Sequence, residues 1–130
     1  MTNRTASCSC GQLSVTVDAE PVRVSVCHCL ACQKRTGSAF AAQARFAASS
    51  VQVRGESTQY VRVADSGNRV TFRFCPQCGA TVHYTIEGFP NLIAVPLGAF
   101  ADPSFPTPRF SVYENRKHSW VALPDELEGD

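Results

Sequence analysis

Apolar and polar residues alternate with a period of two along most of this chain. In QLSVTVD the apolar positions Leu13, Val15 and Val17 share one face, and the same alternation recurs in RVSVC, STQYVRVA, NRVTFRF and ATVHYTI. These segments predict half-buried antiparallel strands, separated by turn signals at Glu20-Pro21, Gly55-Glu56, Asp65-Ser66-Gly67-Asn68 and the stretch EGFPN. DSGN, between two alternating runs, predicts a hairpin loop. Helix is scarce: a turn or two around LACQKR, ended by Gly37, is the candidate nearest the cysteines. AFAAQARFAASS has helical propensity, but Phe40, Ala42, Ala44 and Phe46 also fit a period of two, and strand is the reading adopted. Three prolines make FADPSFPTPRF an irregular arm before a short last strand at FSVYE, and the acidic tail LPDELEGD is expected to be loosely held.

At 130 residues, with no internal repeat and no low-complexity linker, residues 1–130 are expected to form a single mainly β domain. Twelve Lys and Arg against eleven Asp and Glu leave no broad field for nucleic acid or an anionic membrane, so neither is expected as a partner. No apolar run approaches the roughly 20 residues needed to span a bilayer, and the polar start MTNRTAS lacks the apolar core of a signal peptide. A cytoplasmic protein is therefore expected.

Seven cysteines change the picture, because an odd number suits a disulfide framework badly. They fall in tight groups: Cys8 and Cys10; Cys27, Cys29 and Cys32; Cys75 and Cys78. Such neighbours converge on one ion more easily than they form disulfides with each other. FCPQCGATV carries a Cys-Pro-x-Cys-Gly knuckle at a strand end, whose turn lets backbone N–H groups face both sulfurs. SCSCGQL can complete it, because residues two apart on an extended chain point the same way. Cys8, Cys10, Cys75 and Cys78 would then enclose a structural zinc, tying together parts of the chain about 65 residues apart. Structural zinc supplies on the order of 10–16 kcal/mol in small domains. Spacing alone also allows Cys75 and Cys78 to meet two of the middle three cysteines.

If that first site is complete, Cys27, Cys29 and Cys32 remain, and three protein ligands with a vacant place is the arrangement of a catalytic zinc. Three thiolates make the metal electron-rich, poorly suited to generating hydroxide but suited to holding a thiol as a nucleophilic thiolate. The implied substrate is a thiol that attacks a small carbonyl compound. Lys34, Arg35 and Ser38, just past these ligands, are candidate substrate-binding groups. His28, His83 or His118 could instead close the site; His28, between two ligands of an extended pair, should point away from the metal.

The succession Cys-x-Cys-Gly, CHCLACQKRTGSAF, FCPQCGA, a late Asp-Pro and an aromatic after the basic run in ENRKHSWV resembles the glutathione-dependent formaldehyde-activating family, which also includes the centromere protein V group. The resemblance covers roughly residues 6 to 124. It implies a zinc-stabilised β-tent fold of stacked antiparallel sheets. It also implies two zinc ions per chain: a structural one on Cys8, Cys10, Cys75 and Cys78 and a catalytic one on Cys27, Cys29 and Cys32. The implied activity is that of a carbon–sulfur lyase, adding glutathione or a similar thiol to formaldehyde or another small aldehyde, in keeping with aldehyde detoxification. The competing classes are a non-catalytic zinc-stabilised β module that binds a protein and a thiol redox sensor. A homodimer through sheet edges is compatible with the pattern.

Overall fold

A computed structural model describes residues 3–125 and 127–129. Its strands are β1 (Arg4–Ser7), β2 (Ser14–Val17), β3 (Arg23–Cys27), β4 (Ala41–Ala47), β5 (Val51–Arg54), β6 (Thr58–Val63), β7 (Arg69–Phe74), β8 (Thr81–Ile86), β9 (Leu92–Pro96), β10 (Phe110–Val112) and β11 (Glu128–Gly129). One α-helix, α1 (Leu30–Thr36), follows β3. The chain is mainly β, as its alternation predicts, and among the described residues no helix is long and apolar enough to cross a membrane. A small sheet has the order β1-β2-β5, and a larger one has the order β11-β10-β3-β4-β9-β8-β7-β6.

The period of two decides what each face does. Leu13, Val15 and Val17 are fully buried and pack with Val24, Ala44, Phe46 and Val95 of the larger sheet, so the main core lies between the two sheets. Phe100 and Phe105, from the proline-rich arm, close this core, with their rings 4.8 Å apart. The opposite face of the larger sheet carries Arg23, Ser25 and Cys27 of β3 and, in register beside them, Ala41, Gln43 and Arg45 of β4. A second apolar cluster of Val70, Phe72, Tyr84 and Ala94 also packs there.

β8 serves both faces because its pairing with β7 is irregular. Arg73 lies opposite His83 and Phe74 opposite Thr81, so Val82 is the extra residue of a bulge. A bulge turns a side chain out of simple alternation. Val82 accordingly joins the inter-sheet core, while Tyr84, two residues on, joins the second cluster.

The Ala-rich stretch is β4, and DSGN is the β6–β7 hairpin loop. The last strands depart from the antiparallel expectation. After the irregular arm, β10 runs parallel to β3, and Glu128–Gly129 of the acidic tail pairs parallel to β10 instead of hanging loose. The arm is long enough to return the chain to the open edge of β3 in the same direction, which a tight hairpin cannot do.

Candidate metal centres and the cleft beside them

The knuckle 75–78 follows β7, and Cys8 and Cys10 follow β1, so the pairing of sheets brings the two ends together. The sulfurs of Cys8, Cys10, Cys75 and Cys78 all lie within 4.8 Å of one another. Cys8 Sγ is 3.7 Å from Cys10 Sγ, and Cys10 Sγ is 3.6 Å from Cys75 Sγ. A tetrahedron with zinc–sulfur bonds of about 2.3 Å has edges of about 3.8 Å, so the donor set fits zinc. The surroundings also suit thiolates. Leu13 N–H donates to Cys8 Sγ at 3.3 Å, Gln77 N–H to Cys75 Sγ at 3.3 Å and the Gln12 side-chain amide to Cys75 Sγ at 3.1 Å. Burial opposes ionisation of Cys75, but the N–H of Cys78, the Gln12 amide and the N–H of Gln77 outweigh it and bring its pKa down to about 6. Gly55 holds this loop close: with φ at 99°, its Cβ position lies 1.9 Å from the Gln12 carbonyl oxygen, so only glycine fits.

The second cluster is built by one strand end and one helix start. Cys27 ends β3, Cys29 caps α1 with its sulfur 3.3 Å from the Cys32 N–H, and Cys32 lies in the first turn. These three sulfurs also lie within 4.8 Å of one another. Gly37, at φ 65°, ends the helix as the sequence predicts. Cys32 beside it, then burial, pushes the Cys27 thiol up, whereas Cys27, with help from Cys29 and the charges of Arg35 and Arg62, brings Cys32 down to about 5 against the effect of burial.

Among the described residues no histidine joins either cluster. His28 points away, fully buried, with Nε2 3.0 Å from Ser111 Oγ; burial lowers its pKa. His118 Nε2 donates to Gln33 Oε1 at 2.9 Å, and His83 sits on β8 opposite Arg73.

Cys27, Cys29 and Cys32 open into a cleft of about 580 Å³. Of the three expected substrate-binding residues, Arg35 lines it. Lys34 lines a neighbouring groove with Arg35, Tyr60 and Arg62, and Ser38 lies in a shallow depression with His118 and Trp120. The cleft wall instead gains Arg23, Arg45, Arg62 and Arg116, which the sequence reading passed over, and among the described residues Asp65 is its one carboxylate, 3.6 Å from Arg116. The signal for Arg23 was present in RVSVC, where it shares the alternation of Cys27.

Fold and clusters together define a small two-sheet protein whose cysteines could hold metal ions, one group enclosed by four sulfurs and the other facing a cationic cleft. The chain belongs to the glutathione-dependent formaldehyde-activating enzyme family, whose profile matches residues 3–116. A Rhodobacter sphaeroides protein solved by crystallography as a structural-genomics target is similar in fold, with a TM-score of 0.60 and 23% identity over 76% of this chain and 91% of that one. No curated protein matches the chain.

Proposed function

We propose that this protein is a carbon–sulfur lyase that adds a thiol, glutathione or a close analogue, to formaldehyde or another small aldehyde in the cleft at Cys27, Cys29 and Cys32. The observation that carries this reading is a set of three converging sulfurs, unclosed by histidine among the described residues, at the end of an open cleft. Zinc held by these cysteines would supply a Lewis acid that keeps a thiol ionised yet nucleophilic near neutral pH.

The chain's own residues have three tasks. The cleft holds thiol and aldehyde together, turning a bimolecular encounter into a positioned one. Arg35 and Arg62, which stack on Phe72 with Cζ 4.8 and 5.7 Å from the ring centroid, offset negative charge beside Cys32. The apolar wall of Val70, Phe72 and Tyr84 limits water around the reacting atoms. In the net reaction the thiol sulfur forms a bond to the carbonyl carbon, the C=O π pair moves to oxygen, and the thiol proton ends on that oxygen. The structural zinc would sit on Cys8, Cys10, Cys75 and Cys78.

Because the uncatalysed addition is itself easy, the test is exchange NMR with labelled formaldehyde and glutathione. The zinc-loaded protein should raise the interconversion rate of free and thiol-bound formaldehyde, and Cys29→Ser should return it to the background. No rise above background would reject the activity. Cobalt replacing the metal gives a second readout, since glutathione should perturb its visible spectrum.

A further inference from the structure

At the end of the cleft away from the cysteines, Arg23 and Arg45 lie directly opposite each other on β3 and β4. Like charges placed directly across a sheet repel. Here the pair is also partly buried, and burial, together with the charge of Arg23, pushes the Arg45 pKa down. No carboxylate offsets it among the described residues: neither side chain forms a salt bridge, and both Nε atoms are buried without a hydrogen-bond partner. Each guanidinium is nevertheless held in place, Arg23 over Phe110 at 4.3 Å and Arg45 over Phe89 at 5.0 Å. Between this pair and Cys27 lies Gln43, buried, with its Nε2 2.7 Å from Ser25 Oγ and its other polar end without a partner.

We propose that Arg23 and Arg45 form a subsite for an anionic oxygen group, carboxylate or phosphate, on the molecule that reacts at the cysteine end, and so determine which thiols the cleft accepts. The proposal rests on the reading of this cleft as the reaction site. Arg23, Ser25 and Cys27 share one face of β3, so the anion lies roughly 13 Å along the strand from the cysteines, at about 3.3 Å per residue. The free end of Gln43 meets a polar group in between. A bidentate anion satisfies both guanidinium groups and cancels their repulsion, whereas an uncharged thiol leaves the pair uncompensated.

The test is isothermal titration of the zinc-loaded protein with three probes: inorganic phosphate, S-methylglutathione, which has carboxylates but no free thiol, and its dimethyl ester. Phosphate and S-methylglutathione should bind, and Arg23→Gln or Arg45→Gln should weaken each at least tenfold, while Arg54→Gln on the other sheet should not. The ester should bind at least tenfold more weakly than the acid. The thermal midpoint of Arg45→Gln should not fall, because one of two repelling charges has gone; if that variant fails to fold, Arg23→Gln and Arg45→Lys carry the comparison. Arginine-dependent binding of phosphate without S-methylglutathione would support the subsite and remove glutathione as the thiol. Binding of S-methylglutathione that is indifferent to both arginines and to esterification would overturn the subsite and leave the glutathione reading intact. Failure of both anions to bind would also overturn it.

Discussion

The side-chain amide of Gln12 donates to the sulfur of Cys75 at 3.1 Å across 63 positions of sequence. The same amide clamps the backbone of Glu56, donating to its carbonyl at 2.7 Å and accepting from its N–H at 3.0 Å. Gln12 thus couples the turn after β5 to the four-sulfur cluster. Groups that hydrogen-bond metal ligands typically change metal affinity about 10–100-fold when removed. Gln12→Ala should weaken zinc retention in chelator competition by that order and lower the thermal midpoint. An unchanged affinity would mean that this hydrogen bond does not tune the cluster.

The two clusters should respond differently to loss of a ligand. Cys75→Ser breaks the link between the two sheets, and the variant should be unfolded or insoluble. Cys29→Ser should remain folded and carry one zinc fewer, because Cys29 sits at the rim of the cleft and the inter-sheet core does not depend on it. Circular dichroism with elemental analysis checks both, and unchanged zinc in two folded variants would refute the proposed ligand sets. Wild-type protein should contain two zincs per chain, and stripping them with a strong chelator should unfold it.

Gln33 joins α1 to the segment after β10. Its Nε2 donates to the carbonyls of His28 at 2.9 Å and Arg116 at 3.1 Å, and its Oε1 accepts from His118. A typical net hydrogen bond contributes about 0.5–1.5 kcal/mol, and two of these three are exposed and count for less, so Gln33→Ala should cost about 1–3 kcal/mol in urea unfolding. Hydrogen exchange should quicken over 113–118, the segment that carries Tyr113 and Arg116 to the cleft. Exchange that stays slow there would show that β10 alone positions it.

His83 contributes a pH dependence of its own. Burial, then the charge of Arg73, lowers its pKa in the folded protein below the usual 6.5. Its imidazole is therefore neutral in the fold at pH values where the unfolded chain already binds a proton. The stability this confers is full above about pH 6.5 and is lost as pH falls toward the lower folded value. His83→Gln, which does not titrate, should lose less stability than wild type between pH 7.5 and 5.5, measured by urea midpoints. Identical slopes would show that His83 titrates alike in both states.

Much of the architecture was legible because it rests on local rules. The alternation in QLSVTVD and ATVHYTI, the Gly37 stop after LACQKR and the DSGN loop each act over a few residues, and β2, β8, α1 and the β6–β7 hairpin follow from them. Parallel pairing of β10 with β3 was not legible, because the proline-rich arm constrains local conformation without specifying which edge it reaches. The arginines fared likewise. In RVSVC and AFAAQARFAASS, alternation sets Arg23 and Arg45 on a defined face but does not say what covers that face.

The sequence by itself determined that the chain is mainly β and that its cysteines come as knuckles suited to metal, since strand period, turn chemistry and ligand spacing are properties of neighbouring residues. The tertiary structure brought Cys8 and Cys10 to Cys75 and Cys78, a grouping the sequence had favoured over pairing with the middle three, and it alone decided that Cys27, Cys29 and Cys32 face a cleft and that Arg23 and Arg45 line the same wall. The physical reason is that sheet order and strand register, together with the bulge at Val82, set which distant side chains share a face.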